Sequence, residues 1–242
     1  MSLNNSLKRI KQFVLERYGN NLAAILIFGS ANTGHFVEGK SDIDTIILLK
    51  RKCKLNFKNE IRYLFEIDEL QSEKLKILHF KTIKNYEKHI YNEGSWSSWV
   101  TVIEGSKKIY STSYFEKFKE RLIKKPISRK KLFEYLKQKD KFELKGYFKK
   151  TGGFDLTKAL MSHLRRKLQI MNYFKTGKII FDYNACLRNV DLDKSEKVKL
   201  TRLYKLYKKR KKLSNEEIKH YKKIAEEFTK RIIQMSHPSL NS

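Results

Sequence analysis

Residues 24–49 read AILIFGSANTGHFVEGKSDIDTIILL, two apolar runs joined by a polar, glycine-containing segment that ends in a pair of acids. Ala24 to Phe28 and Ile43 to Leu49 are short, apolar and bounded by turn residues, which predicts two buried strands. Gly29-Ser30 closes the first run, and eleven residues lead from it to Asp42-Ile43-Asp44. A strand alternates its side chains with a period of two, so Asp42 and Asp44 fall on one face. Two carboxylates this close repel until a cation neutralises them, and oxygen ligands select a hard divalent ion such as Mg²⁺. Gly29 lets the backbone approach a ligand closely. Ser30 adds a hydroxyl and an N–H where a helix would start, a seat for phosphate oxygens.

The order strand, Gly29-Ser30, spacer, Asp42-Ile43-Asp44 resembles the signature of the DNA polymerase beta-like nucleotidyltransferase superfamily. The resemblance is strict over 24–49 and looser to about residue 125. It implies an α+β protein that moves a nucleoside monophosphate from an NTP to an acceptor hydroxyl, with Asp42 and Asp44 holding Mg²⁺. Gly29 and Ser30 would then hold the triphosphate, and Lys40 and Ser41, just before the acids, are further nucleotide-binding candidates. The superfamily usually carries a third carboxylate on a later strand. The segment Leu75–Phe80 (LKILHF) reads as that strand, and the matching position, between Leu78 and Phe80, holds His79. Three readings follow. His79 acts as neutral base or ligand; the acid comes from Glu66, Asp68 or Glu104; or the site binds nucleotide and turns over poorly. A lone histidine in an apolar strand is also commonly a hydrogen-bonded core residue.

Working outward, residues 3–18 place Leu7, Ile10 and Val14 at helical spacing before Gly19-Asn20-Asn21, predicting a helix that packs on the first strand. Phe57–Leu70 has the spacing of a crossover helix, and 82–93 that of an exposed one. Trp96 and Trp99 could stack a base or fill a core. Val102–Tyr110 resembles the strand-turn-strand that closes many small nucleotidyltransferase domains, with Tyr114–Ile123 as a trailing helix. Lys124-Lys125-Pro126 marks a boundary between a mixed-sheet nucleotidyltransferase domain, 1–125, and a helical bundle domain, 126–242. In the latter, segments 128–150, 155–176, 193–212 and 214–235 carry apolar positions every three or four residues, a bundle of about four helices. Asp193 with Glu196 and Ser214 with Glu217 form capping-box signatures. This arrangement is similar to the kanamycin nucleotidyltransferase type and to minimal nucleotidyltransferases paired with HEPN proteins in toxin-antitoxin systems. Arg231 and His237 have the spacing of the HEPN ribonuclease motif, but one such match is expected by chance in a chain of this composition.

The chain has 242 residues and a formal charge of +28, and 42 of its 54 basic residues are lysine. Such an excess suits a phosphate-backbone partner, and Lys205–Lys212 (KLYKKRKK) is its densest run. Genomic bias or a heat-adapted surface gives the same composition. The basicity favours an RNA acceptor, especially a tRNA 3′ end, over a protein hydroxyl or an aminoglycoside, whose site would be lined with acids. No apolar run approaches eighteen residues and residues 1–19 lack a signal-peptide core, so the expectation is a cytoplasmic protein with no membrane partner. Cys53 and Cys186 are too few and too far apart for a disulfide framework or a zinc site.

Overall fold

The computed structural model describes residues 3–32, 43–52, 77–147 and 153–235. The chain divides into two compact units, residues 1–128 and 129–242.

In the first unit, helix α1 (Leu3–Tyr18) buries Leu7, Ile10 and Val14, the stripe its spacing foretold. The strands that follow are β1 (Leu22–Phe28), β2 (Asp44–Leu49), β3 (Ile77–Thr82) and β4 (Lys107–Ser111), in the sheet order β3-β2-β1-β4. The sheet is mixed: β1 runs antiparallel to β2 and β4, and β3 lies parallel to β2. Ile25, Ile27, Ile47 and Leu49 form one cluster with the buried stripe of α1. Each such side chain removed from water contributes about 1.5–3 kcal/mol. The alternate residues Leu26, Ile46 and Leu48 are buried as well, so both faces of the sheet are covered at its centre.

One residue brackets the β1–β2 pair at the end away from the glycine turn. The Asn21 side chain donates from Nδ2 to the Arg51 carbonyl at 3.2 Å and accepts from the Arg51 N–H at 2.9 Å. The Asn21 carbonyl accepts from the Lys50 N–H at 2.8 Å.

Helices α2 (Ile83–Glu93), α3 (Trp96–Ile103) and α4 (Ser113–Lys124) complete this unit. Thr82 caps α2 by accepting from the Asn85 N–H, and Gly94, at φ 65°, ends it in the left-handed conformation. Val102–Tyr110 departs from the expected strand-turn-strand, because α3 continues through Ile103 and only Lys107 begins a strand. Trp96, Trp99, Val100 and Ile103 lie on one helical face and are all buried, which outweighs the strand preference of Val102 and Ile103. Trp96 and Trp99 are core residues. Their ring centroids stand 5.3 Å apart, and the Trp99 indole N–H donates to the Leu122 carbonyl at 3.2 Å.

The second unit is helical: α5 (Arg129–Lys139), a wider π-helical stretch (Asp140–Tyr147), α6 (Gly153–Thr176), α7 (Tyr183–Asn189), α8 (Lys194–Lys208) and α9 (Asn215–Gln234). Leu156, Leu160, Leu164, Leu168 and Met171 bury the stripe of α6. Both capping boxes form. The short α7 is an addition to the four expected helices, started by the Asp182 side chain accepting from the Ala185 N–H at 2.7 Å. Among the described residues no helix is long and apolar enough to cross a membrane.

A polar cluster crosses the interior of this bundle. His163 is held between two carboxylates of the π-helical stretch, Nδ1 against Glu143 and Nε2 against Asp140 at 2.9 Å. The buried Lys167 ammonium donates to Asp140 at 2.6 Å and to the Thr229 hydroxyl, which donates in turn to Asp140. Burial alone raises the Asp140 and Glu143 carboxyls. The His163 hydrogen bonds outweigh it, with the Lys167 charge beside Asp140 and the Arg166 charge beside Glu143, and hold both below the ordinary carboxylate range. Carboxyls lowered on folding add stability that is complete above their unfolded pKa of about 4 and is lost as pH falls through the lower folded value. The urea midpoint should therefore fall steeply once pH drops below about 4, and Asp140→Ala should soften that acid limb. At pH 7, where Asp140→Ala strands the buried Lys167 charge, urea unfolding should show a loss of about 3–5 kcal/mol.

Candidate active site

The site grows from the end of β1. Phe28 is extended, Gly29 turns into the left-handed region at φ 68°, and Gly29–Ala31 makes one tight turn closed by the Asn32 N–H donating to the Gly29 carbonyl at 3.2 Å. On the neighbouring strand Asp44 pairs with Phe28. The half-buried Asp44 carboxylate consequently lies against the Gly29 α-carbon, and a Cβ built on Gly29 would overlap Asp44 Oδ2. Glycine is required here twice over, by its backbone angle and by the carboxylate occupying the space of a side chain. A tight glycine turn and a carboxylate thus share one end of the sheet.

A second turn buttresses the first. Ile27 pairs with Lys107, which brings the start of β4 alongside the end of β1. The Asn32 side chain donates from Nδ2 to the Gly105 carbonyl at 3.1 Å. Gly105 has no room for a side chain either, since a Cβ would sit 3.0 Å from Thr101 Cα and the Val100 carbonyl oxygen. Neither Asn32 nor Gly105 belongs to a motif, so the pair escaped the sequence reading. A glycine after a helix and an asparagine after Gly-Ser were its only signals.

Of the residues singled out from sequence, Gly29 and Asp44 are brought together, and Ser30 takes the middle of the same turn by its backbone. His79 lies on β3 in register with Ile46, two residues beyond Asp44 and so of the same parity on the sheet. Glu104 is exposed at the end of α3, next to the Gly105 that receives Asn32. Asp42, Lys40 and Ser41 lie outside the described residues, as do Glu66, Asp68 and Cys53. Among the described residues no group of three His, Cys, Asp or Glu side chains is disposed to hold a metal ion. Arg231 grips Glu196 with two hydrogen bonds, 2.9 and 2.6 Å, and His237 lies outside the described residues. Cys186 is buried, its thiol pushed up to about 11.

Residues 7–98, which span α1, the glycine turn, the Asp44 strand and His79, match the family model described as a nucleotidyltransferase domain. The N-terminal unit carries a nucleotidyltransferase domain. The α+β fold, with its mixed sheet and helical second unit, is also that of a solved relative in architecture. The structure of spectinomycin adenyltransferase AAD(9) from Enterococcus faecialis, with ATP and spectinomycin, aligns at a TM-score of 0.59 and 12% identity, over 95% of this chain and 100% of that one. A toxin-antitoxin structure with AMP-PNP aligns at a TM-score of 0.34 and 18% identity, over 49% of this chain and 84% of that one. No curated protein sequence matches the chain significantly.

The contact between Gly29 and Asp44 can be measured as a coupling. Gly29→Ala should destabilise the protein by at least about 1–2 kcal/mol from its left-handed backbone alone, with a further part from the carboxylate. In an Asp44→Ala background the cost should shrink by about 0.5–3 kcal/mol in urea unfolding. Equal costs in the two backgrounds would place the carboxylate away from the glycine.

Proposed function

We propose that the nucleotidyltransferase domain of this chain moves a nucleoside monophosphate from an NTP to a hydroxyl on RNA and releases pyrophosphate. The single observation that carries the reading is the seating of the Asp44 carboxylate against the Gly29 turn. The donor set suits Mg²⁺: Asp44 offers hard carboxylate oxygen at the mouth of a turn whose own donors are N–H groups, and Asp42 adds a second carboxylate. When bound, the ion would offset charge gathering on the phosphate oxygens. The remaining work falls to the chain. Backbone N–H groups of the Gly29–Ala31 turn hold the triphosphate tail, and Lys40 and Ser41 add contacts to it. The acceptor oxygen forms a bond to the α-phosphorus while the bond to the bridging oxygen of the β-phosphate breaks. The proton of the acceptor goes to a base, a role we assign to His79, whose backbone is in register with Ile46 on the adjacent strand.

Charge supports an anionic acceptor. Residues 129–242 hold 31 of the 54 Lys and Arg and 12 of the 26 Asp and Glu. Several of those acids are already engaged: Asp140 and Glu143 in the buried cluster, Glu196 by Arg231, Glu217 by Arg202 at 2.8 Å and Asp191 by Lys175 at 2.8 Å. The seven other acids of this unit face 31 cations, a poor attraction for a polycation. A second reading, transfer to the hydroxyl of a small molecule, is favoured by the fold shared with the spectinomycin adenyltransferase.

The deciding assay supplies each α-³²P-NTP with Mg²⁺ and either total RNA or spectinomycin. Label should pass to RNA, and Asp42→Ala and Asp44→Ala should each slow it about a thousandfold, the several kcal/mol expected of a metal ligand. Label on spectinomycin alone would select the second reading. Nucleotide binding with no pyrophosphate release would identify a catalytically weak nucleotide-binding module.

A further inference from the structure

The densest basic run of the chain acquires a definite geometry in the second unit. On α8, Lys194, Lys197, Lys205 and Lys208 are all exposed and, with Thr201 between them, fall within an arc of about 80°. The stripe is about 21 Å long and runs straight into Lys209-Arg210-Lys211-Lys212, also exposed. The single acid of α8, Glu196, is buried beneath it and clamped by Arg231. The neighbouring α9 is different. Its exposed charges are of both signs, Glu216, Lys219, Lys223, Glu226 and Lys230, as on an ordinary solvated helix. A lysine-rich composition explains an excess of lysine everywhere; it does not explain a stripe purged of acids on one helix beside a balanced one.

The end of α8 adds an independent observation. The Lys211 N–H donates to the Leu206 carbonyl at 2.9 Å and the Arg210 N–H to the Tyr207 carbonyl at 3.1 Å, the paired bonds of a Schellman ending. The position that this motif gives to glycine is held by Arg210, at φ 53°, the one described non-glycine residue in the left-handed region. A bulky cation in a strained conformation, where a glycine would relax the turn, is the kind of outlier that accompanies a functional site. The run is also anchored. The Thr157 hydroxyl donates to the Lys211 carbonyl at 3.0 Å, and the Lys212 stem crosses Gly153. Tyr204, which carries the Lys208 ammonium 5.4 Å from its ring centroid, is stacked on Tyr183 at 4.8 Å.

We infer that the α8 stripe and its Arg210 cap form a docking surface for the phosphate backbone of an RNA strand. The inference deepens the RNA reading and rests on it for the identity of the bound strand as acceptor. A row of ammonium groups along about 21 Å can face several successive phosphates, releasing their counterions, while the guanidinium at its end can fork onto one phosphate.

The test measures binding of a fluorescein-labelled single-stranded RNA by anisotropy over a range of salt, without NTP. Combined Lys197→Gln, Lys205→Gln and Lys208→Gln should weaken binding at least about tenfold and reduce the slope of log K against log salt by about 2. The matched α9 variant, Lys219→Gln, Lys223→Gln and Lys230→Gln, should leave both nearly unchanged. Equal weakening by the two triples would reduce the effect to net charge and overturn the surface. Arg210→Gly should raise the thermal midpoint by a few degrees while weakening RNA binding. A stabilised variant that binds RNA as before would overturn the role of Arg210. Intact RNA binding and transfer in the α8 triple would sink the surface but leave the RNA acceptor standing. No RNA binding by the wild type, with NTP binding intact, would remove both.

Discussion

The pairing of β1 with β2 in one particular register is the constraint on which the candidate site depends. Phe28 must stand opposite Asp44 for the carboxylate to meet the Gly29 turn. A slip of one residue would swing Asp44 to the face occupied by α1 and replace it with an isoleucine or threonine. Two kinds of contact oppose that slip. In the observed phase Ile25, Ile27, Ile47 and Leu49 pack with the stripe of α1 and the Asp44 carboxylate stays off that apolar face, and Asn21 grips the backbone of Arg51 at the far end of the ladder. Hydrophobic packing supplies most of the free energy, and the two asparagine hydrogen bonds add to it at the far end of the ladder. The site therefore inherits its geometry from the core and not from its own loops.

The second unit shows how a chain this cationic can still use its acids structurally. Asp140 and Glu143 stand on the wide turns of the π-helical stretch and surround His163, with Lys167 buried behind them. Ionic groups in the interior gain little net stability over apolar ones, but they tolerate few alternative packings, so the cluster fixes how the π-helical stretch meets α6 and α9.

What could be read from sequence, and what could not, follows from the range of each interaction. The strands around Gly29, the stripe of α1 and both capping boxes were legible because each depends on residues within about one or two turns of one another. The helix ending at Ile103 was not: Val102 and Ile103 look like strand, and only their burial beside Trp96 and Trp99 decides otherwise. The Asn32 bond to Gly105 spans 73 residues and the Thr229 bond to Asp140 spans 89, so neither leaves a local trace. The acid pair was visible as Asp-x-Asp, but the adjacency of Asp44 to the glycine turn is a property of the ladder. His79 illustrates the opposite limit. The register shows where the residue stands in the sheet, whereas the chemistry that a histidine performs there depends on the substrate it meets.

Glu196 ties two events of unfolding into one. A single carboxylate closes the first turn of α8, accepting from the Asp193 N–H at 3.1 Å, and receives both prongs of the Arg231 guanidinium from the last turn of α9. Fraying at either helix terminus loosens the other, so neither melts alone without parting the buried Glu196 carboxylate from its guanidinium. Helices that would otherwise breathe independently are yoked at opposite ends, and the bundle is left with one fewer soft edge from which to come apart.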